Sequence, residues 1–364
     1  MSGPIAKDTI LAIKPYVPGK AKVPGFAAPL KLSANENALG CSPAARAAYL
    51  EAATSIHRYP DSRAAALRSA IARRHDLDPD RIILGAGSDE IFSLVCQSYL
   101  SPGDTMVQPQ FAFAAWAIAA RAAGAKVTSA TESNYCVDVD ALLEAISPST
   151  RVVFLANPAN PTGTLIPFCD IERLHGALPD NVVLVLDAAY AEFAENVPGY
   201  EDGMRLARTT PNVIVTRTFS KLHGLAALRI GWGYAAKPVI DVLERIRLPF
   251  NASAPAQASA IAALGDEDFI ERSLVLVKAG REQLAALLVK AGLEPLPSAA
   301  NFVTALSRRD PAAAQQIVSG LESHGVIVRG LANYDMGNAL RVSVGTQEEM
   351  LIFEQALSSL QLAR

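Results

Sequence analysis

Short runs of β-branched and other apolar residues alternate with longer alanine- and leucine-rich segments along the first two thirds of the chain. The apolar runs lie at residues 82–84, 105–107, 151–155, 182–186 and 213–216. Strand-length apolar runs separated by helical segments are typical of βαβ units, in which parallel strands are buried on both faces. The pattern therefore predicts an α/β fold with a mostly parallel sheet between helices.

The alternation changes near residue 250, where the stretch LPFNASAPAQASA contains two prolines. A helical pattern follows over residues 266–291, and strands are then predicted at residues 301–305, 326–329 and 339–344. The first 32 residues, rich in Pro, Gly and Lys, indicate an extended arm. We predict three parts: an N-terminal arm at 1–40 that packs with the small domain, a large domain at 41–250, and a smaller α+β domain at 251–364.

Composition narrows the class of protein. The 364 residues are 50% hydrophobic and 19% charged, with a formal net charge of −3, which excludes a disordered or nucleic-acid-binding chain. Mean hydropathy is +0.20, but the longest apolar run, 111–120, is shorter than the ~20 residues of a membrane-spanning helix. The first residues lack the apolar segment of a signal peptide, and the four cysteines are widely spaced. We expect a cytoplasmic protein with reduced thiols, without membrane or nucleic-acid partners.

Small or polar residues directly follow four of the predicted strands. They are GAGSDE at 85–90, ANPANPTG at 156–163, DAAY at 187–190 and RTFSK at 217–221. In open parallel sheets, ligands bind beyond the carboxyl ends of the strands. The four segments therefore predict a single cleft at one edge of the sheet.

Three of these segments suggest a chemistry. The turn at 85–90 opens a helix whose free N–H groups suit a phosphate, although an ordinary capped turn is the alternative. Asp187 follows five apolar residues, so its buried carboxylate needs a partner. The partner is a protonated ring nitrogen or, for a structural aspartate, an arginine or the N–H groups of the next turn. Lys221 is either a nucleophile of lowered pKa that forms an imine, or a surface lysine.

Further candidates also have two readings. Arg229 suits a phosphate or an ion pair, and Arg341, in an alternating strand, suits a carboxylate or a salt bridge. Phe111 can stack on a planar ring or belong to the core, and Tyr59 lies in a polar turn. The scattered histidines and the lack of HExxH or GxSxG motifs predict neither a metal site nor a serine hydrolase.

Taken together and in this order, several motifs resemble the fold-type-I pyridoxal-phosphate aminotransferases over nearly the whole chain. They are the glycine-rich turn, Asn-Pro-Ala-Asn-Pro-Thr-Gly, Asp-Ala-Ala-Tyr, and Ser-Lys followed eight residues later by Arg. Leu-Ser-Ala-Asn-Glu-Asn at 32–37, Arg-Tyr-Pro-Asp at 58–61 and Leu-Arg-Val-Ser-Val-Gly-Thr at 340–346 are similar to the histidinol-phosphate aminotransferase family.

The resemblance implies pyridoxal 5′-phosphate as the cofactor, carried as an imine on Lys221, which then moves the substrate proton. Asp187 would keep the ring nitrogen protonated, Asn160 and Tyr190 would hydrogen-bond the ring hydroxyl oxygen, and Phe111 would stack on the ring. The resemblance also implies phosphate contacts from the remaining cofactor-binding residues, which are Ser88, Asp89, Thr218, Ser220, Arg229 and, from the second subunit of a homodimer with shared sites, Tyr59.

For the substrate, the resemblance implies a carboxylate clamp at Arg341, a phosphate contact at Arg329 and a place near the substrate for Asn37. The implied reaction belongs to histidine biosynthesis. It transfers an amino group from histidinol phosphate to 2-oxoglutarate in a ping-pong cycle, yielding imidazole acetol phosphate and glutamate. The partners are thus a small amino donor and a 2-oxo acid.

The chain departs from the family pattern at several positions. Phe111 replaces a usual tyrosine, Gln110 stands where threonine is common, and Gly330 follows Arg329 where proline is frequent. Three alternatives therefore stay open: an aromatic amino acid aminotransferase, a phosphothreonine-type pyridoxal-phosphate decarboxylase, and a non-catalytic module that binds the cofactor.

Overall fold

A computed structural model describes residues 3–308 and 310–360. Its strands, in chain order, are β1 (Leu30–Lys31), β2 (Ile82–Gly85), β3 (Thr105–Pro109), β4 (Lys126–Ala130), β5 (Glu132–Ser133), β6 (Cys136–Val137), β7 (Thr150–Ala156), β8 (Val183–Asp187), β9 (Val213–Thr218), β10 (Gly231–Ala235), β11 (Glu294–Pro295), β12 (Phe302–Leu306), β13 (Val326–Ile327), β14 (Arg329–Leu331) and β15 (Met336–Ser343).

The helices connect and cover these strands. They are α1 (Asp8–Leu11), α2 (Pro43–Ala52), α3 (Ala65–His75), α4 (Ser88–Tyr99), α5 (Ala114–Ala122), α6 (Val139–Glu144), α7 (Phe168–Ala177), α8 (Ala191–Ala194), α9 (Met204–Thr209), α10 (Lys237–Glu244), α11 (Ala254–Leu264), α12 (Glu267–Lys290), α13 (Ala313–Ser323) and α14 (Gln347–Ser359). Short 3₁₀ turns lie at Ala53–Ser55, Pro79–Arg81, Ala226–Leu228 and Ala332–Tyr334.

Several helices begin at a side-chain cap. The Ser42 side chain accepts the Ala45 N–H at the start of α2, where Pro43 occupies the first turn. A capping box joins Thr346 and Glu349 at the start of α14. These caps satisfy N–H groups that have no partner within the helix, and they set where each helix begins.

A seven-stranded sheet, in the order β2-β10-β9-β8-β7-β3-β4, lies at the centre of the large part of the chain. Only β10 runs antiparallel to its neighbours. Every position of β3, β8 and β9 is buried, because helices cover both faces. The mostly parallel α/β sheet predicted from the apolar runs is confirmed.

Parallel register brings the polar strand ends together at one edge. Ala156 at the end of β7 pairs with Asp187 at the end of β8, which in turn pairs with Thr216 of β9. The segments that follow these strands therefore begin side by side. This edge carries the candidate site.

The C-terminal third contains a second, antiparallel sheet in the order β11-β12-β15-β14. The strands predicted at 301–305 and 339–344 are confirmed as β12 and β15, and the one at 326–329 divides into β13 and β14. The N-terminal arm contributes β1, which pairs in parallel with β13 through Leu30 and Val326.

Helix α11 packs with the large part of the chain, although the sequence places it in the small domain. Its buried residues Ala256, Ala260 and Ala263 belong to the apolar core that also contains β8 and β9. We therefore propose a boundary after Leu264, later than the expected residue 250. The assignment of 1–40 as an arm that packs with the small domain stays a prediction.

Gly224 provides a test of how the segment after Lys221 packs. Its φ is +67°, and an added Cβ would lie 1.8 Å from the carbonyl oxygen of Gly40. We expect Gly224→Ala to lower the free energy of unfolding by roughly 3 kcal/mol or more, because the two backbones would have to separate. Urea denaturation measures this change.

Gly176→Ala in α7 is the matched control, since nothing lies within 4 Å of the added Cβ. That substitution should leave stability unchanged or raise it by ~0.5–1 kcal/mol. Similar effects of the two substitutions would contradict the close approach of residues 40 and 224.

Candidate active site

The glycine-rich turn at 85–90 leads into the N-terminus of α4, a 12-residue helix that begins at Ser88. Gly87 precedes it with φ +80° and has no side chain to cap the first N–H groups. A Cβ on Gly87 would lie 2.4 Å from Arg229 Nη2, and one on Gly231 would lie 2.5 Å from the Ser88 nitrogen. The two glycines therefore let Arg229 and β10 approach the start of the helix.

Arg229 lies over this helix start beside two hydroxyl groups. Its Nη1 is 3.4 Å from Ser220 Oγ, and its Nη2 is 3.1 Å from the Asp89 carboxylate. The hydroxyl of Thr218 accepts the Ser220 N–H at 3.1 Å. The structure thus brings together a guanidinium, two hydroxyls and free helix N–H groups, which is the chemistry that holds a phosphate.

Asp187 is buried at the carboxyl end of β8. Its Oδ1 accepts the Ala189 N–H at 3.2 Å and the Thr216 hydroxyl at 3.4 Å. Within residues 3–308 and 310–360 it forms no ion pair, so the structural arginine that the sequence left open is not found. Burial raises the pKa of Asp187 to about 7, and the nearby negative charge of Asp89 adds to this effect. A cationic ring nitrogen would stabilise the ionised carboxylate.

Lys221 lies across the site from Asp187, on the turn that follows β9. Its Nζ donates to the Ala34 carbonyl at 3.3 Å and lies 5.8 Å from the centroid of the Tyr190 ring. Burial, together with the positive charge of Arg341, lowers the pKa of Lys221 to about 8. A larger fraction of the amine is therefore neutral near pH 7 than for an exposed lysine, which favours attack on a carbonyl group.

Tyr190 and Arg341 complete the buried wall of the site. The Tyr190 hydroxyl accepts from Asn35 Nδ2 at 2.9 Å, and burial raises its pKa to about 12. Arg341 donates to the Asn160 side-chain oxygen and, at 3.2 Å, to the Ser33 carbonyl. Arg341 of β15 thus holds the side chain of Asn160, which belongs to the segment that follows β7.

Asn35 is a site residue that the sequence reasoning missed. Its φ is +55°, its backbone N–H donates to Ser343 Oγ at 2.8 Å, and its side chain reaches Tyr190. The motif at 32–37 contains the signal, but from that motif the resemblance implies a place near the substrate for Asn37 alone.

Asn37 lies close to Lys221 but is engaged within the protein. Its amide nitrogen donates to the Leu222 carbonyl at 2.6 Å and to Ser273 Oγ at 3.0 Å, while its oxygen accepts the Leu39 N–H at 2.9 Å. These bonds brace the turn that carries Lys221. Contact between Asn37 and the substrate stays a prediction.

Two aromatic candidates occupy different environments. Phe111, in the bend after β3, stacks on Tyr135 with ring centroids 5.3 Å apart. Tyr59 is 83% exposed and stacks on Phe250 at 4.6 Å. The predicted contact of Tyr59 with the cofactor phosphate of a second subunit stays a prediction.

Arg329 and Arg341 are direct neighbours across β14 and β15. Arg329 donates to the Val17 carbonyl of the N-terminal arm at 2.9 Å. Over the described ranges, neither arginine forms an ion pair with a carboxylate. Two adjacent guanidinium groups without anions favour a ligand with one or more strongly anionic groups.

A lysine of lowered pKa, a buried carboxylate that lacks a cation and a phosphate cradle therefore converge at one sheet edge. This set fits a phosphorylated aldehyde with a basic ring nitrogen, which defines an enzyme dependent on a cofactor of the pyridoxal phosphate type.

Comparison with known proteins agrees with this class. The family described as aminotransferase class I and II matches residues 27–357, and the chain belongs to that family. It is 52% identical over 353 residues to histidinol-phosphate aminotransferase 1 of Caulobacter vibrioides, covering 97% of this chain and 98% of the relative. It is 48% identical over 355 residues to histidinol-phosphate aminotransferase of Maricaulis maris, covering 96% and 97% of the two chains.

Solved structures give the same result. The histidinol-phosphate aminotransferase of Sinorhizobium meliloti in complex with pyridoxal-5′-phosphate has a TM-score of 0.89 at 28% identity, covering 98% of this chain and 97% of that one. An aspartate aminotransferase variant from Thermus thermophilus shares the fold, with a TM-score of 0.82 at 21% identity and 98% coverage of both chains.

The protein is a transaminase with pyridoxal phosphate as its cofactor, and its substrates are small molecules. When bound, the cofactor supplies a protonated ring that takes up electrons from the substrate Cα.

No helix within the described residues is long and apolar enough to cross a membrane.

Lys221 allows a direct test of these electrostatics in cofactor-free protein. Competitive acetylation followed by mass spectrometry should give half-maximal reactivity of Lys221 near pH 8, whereas an ordinary lysine requires about pH 10.4. Arg341→Met should move the Lys221 midpoint to higher pH, because a neighbouring positive charge is removed.

The surface substitution Arg308→Met is the control and should leave the Lys221 midpoint in place. Reactivity of Lys221 that follows the exposed lysines across the pH range would contradict the lowered pKa.

Proposed function

We propose that this chain is a histidinol-phosphate aminotransferase, which transfers the amino group of histidinol phosphate to 2-oxoglutarate in a ping-pong cycle. The observation that carries the proposal is the cross-strand pair Arg329 and Arg341, placed at the site without carboxylate partners among the described residues. Two relatives that are 52% and 48% identical over nearly the full chain are histidinol-phosphate aminotransferases, which supports the proposal.

The two arginines suit both half-reactions. Arg329, at the outer position, binds the phosphate of histidinol phosphate, and Arg341 binds the α-carboxylate when glutamate or 2-oxoglutarate enters. Arg341 is buried and donates two hydrogen bonds to the protein, which hold its guanidinium in a defined plane for a bidentate contact. Asn37 borders the same space through its contact with residue 222.

Four side chains act on the reacting group. Lys221 holds the cofactor and then moves a proton between the substrate Cα and the cofactor C4′ carbon. Asp187 keeps the proton on the ring nitrogen, which requires an ionised carboxylate beside a cation. Tyr190 and Asn160 hydrogen-bond the ring hydroxyl oxygen, and their own partners, Asn35 and Arg341, fix their orientation.

The remaining residues anchor and orient the cofactor. Phe111 stacks on the ring. The backbone N–H groups of Ser88 and Asp89, the hydroxyls of Thr218 and Ser220, and Arg229 bind the cofactor phosphate. These contacts would hold the cofactor in a fixed position relative to Lys221.

A homodimer with shared sites is part of the proposal. Tyr59 would reach the cofactor phosphate of the second subunit, and it stacks on the exposed Phe250. Further large apolar side chains are exposed in the single chain at Tyr49, Leu50, Ile56 and Leu248. Burial of such side chains is typical of a subunit interface. The four free cysteines fit the expected cytoplasmic location.

Donor specificity tests the proposed reaction. Histidinol phosphate should bleach the visible absorbance of the holoenzyme with a higher kcat/KM than phenylalanine or tyrosine, and without release of CO2.

Arg329→Ala should lower kcat/KM for histidinol phosphate by about 10- to 100-fold, because a charge-assisted hydrogen bond to phosphate is lost. The kcat/KM of this variant for glutamate should fall much less. Stopped-flow absorbance measures kcat/KM for both substrates.

Arg308→Ala, which removes an exposed arginine paired with Glu294, is the control for a general loss of charge. Equal losses for histidinol phosphate and glutamate would show that Arg329 does not bind the phosphate. A preference for phenylalanine would support the aromatic aminotransferase, and CO2 release the decarboxylase.

Subunit complementation tests the shared site. Lys221→Ala and Tyr59→Ala each inactivate or weaken their own homodimers. A hybrid of the two contains one site with both native residues, so random mixing after dissociation should restore about a quarter of wild-type activity. A steady-state assay of the mixture measures it, with each variant alone as the control. No recovery, although hybrids form by mass spectrometry, would contradict the assignment of Tyr59.

A further inference from the structure

The hairpin formed by β5 and β6 lies behind Phe111. Its two-residue loop consists of Asn134 and Tyr135, with φ values of 51° and 62°. Positive φ at both loop positions is typical of a type I′ turn, but a bulky residue such as tyrosine rarely adopts it. Unfavourable backbone conformations of this kind persist where the surrounding structure holds them, and they concentrate at functional sites.

Two hydrogen bonds join this hairpin to the bend that carries Phe111. The Phe111 N–H donates to Glu132 Oε1 at 3.1 Å, and the Glu132 N–H donates to Gln110 Oε1 at 3.3 Å. The two bonds are reciprocal, since each segment supplies one backbone donor and one side-chain acceptor. They set the distance between the hairpin and the end of β3.

The hairpin is itself attached to the rest of the site. The Tyr135 ring stacks on Phe111 with an interplanar angle of 21°. Its carbonyl accepts the Thr164 hydroxyl at 2.9 Å, and its hydroxyl accepts from Asn338 at 3.5 Å on β15, the strand that carries Arg341. Phe111 is therefore supported from behind by a segment connected to both parts of the chain.

The buried carboxylate of Glu132 is unfavourable for the stability of the fold. Its Oε2 is inaccessible to solvent and has no hydrogen-bond partner among the described residues. Burial raises the pKa of Glu132 to about 7, against the lowering effect of the Phe111 N–H. A buried carboxylate with one partner lowers stability, so a side chain that does so next to a cofactor-facing residue is a candidate for a functional role.

We propose that Glu132 is a positioning residue, which accepts the Phe111 N–H and thereby fixes the angle of the Phe111 ring against the cofactor. The proposal rests on the stacking role of Phe111 given under the proposed function. Glu132 does not touch the reacting atoms. It acts through Phe111, while Tyr135 supports the opposite face of that ring.

The experiment compares Glu132→Ala with Glu132→Gln in the holoenzyme. The visible circular dichroism of the bound cofactor reports the asymmetry of its surroundings, and equilibrium dialysis gives its Kd. Glu132→Ala should change the dichroic band and raise the Kd of pyridoxal phosphate about tenfold, since the acceptor for Phe111 is lost. Glu132→Gln retains a carbonyl acceptor and should restore both values.

Controls separate positioning from stability. Ser133→Ala, at an exposed position of the same hairpin, should leave the dichroic band unchanged. In a Phe111→Ala background, Glu132→Ala should have no further effect on the Kd, because the residue through which it acts is gone. If Glu132→Ala does not fold, Glu132→Asp withdraws the acceptor by one methylene and takes its place.

A wild-type dichroic band and Kd in Glu132→Ala would overturn the proposal, whatever happens to its Tm. Full effects of Glu132→Ala in the Phe111→Ala background would overturn it as well. These readouts need only the cofactor, so failure of histidinol phosphate as a donor would refute the proposed function and leave this comparison intact.

Discussion

The carboxylate of Asp187, buried and without an ion pair among the described residues, is the constraint on which the site depends. It lies at the end of a fully buried strand, beside the equally buried β9, so water stabilises its charge only weakly. Lys221 is near enough to lower the pKa of Asp187, yet burial shifts the lysine itself toward its neutral form. Neither group is fully satisfied by the other. A ring that brings a protonatable nitrogen to the aspartate and a carbonyl to the lysine satisfies both, and this complementarity explains the choice of cofactor.

One short segment of the N-terminal region, residues 33–35, connects the parts of the site. The carbonyl of Ser33 accepts from Arg341, that of Ala34 accepts from Lys221, and the Asn35 side chain donates to Tyr190. The same segment follows β1, which pairs with β13 in the C-terminal third. Arg341 and Lys221 thus donate to neighbouring carbonyl groups of one segment, which connects the C-terminal third to the turn that carries the lysine.

Much of the fold was predictable because fully buried parallel strands appear in the sequence as uninterrupted apolar runs. Strand β10 was missed since its sequence, GWGYA, contains two glycines. Gly231 lets the start of α4 approach, and Gly233 packs closely against the side chains of Ile83 and Ile91. The half-exposed edge strand β4 was missed because it is polar. The packing of helix α11 on α2 and the large core could not be predicted locally, because it depends on contacts between residues more than 190 positions apart in the chain, such as that of Gln257 with Asp61.

The sequence by itself determined which chemical groups stand at the strand ends, because a polar residue after an apolar run is a local pattern. It also determined the caps and the glycine-rich turn, whose signals span a few residues. Only the tertiary structure decided which partner each group has. Among the described residues, Asp187 has no arginine partner, and the side chain of Asn37 is hydrogen-bonded to the Leu222 carbonyl. Arg329 lies beside Arg341 on the neighbouring strand. Hydrogen-bond partners and burial depend on the register of strands far apart in the chain, and no local pattern of residues specifies that register.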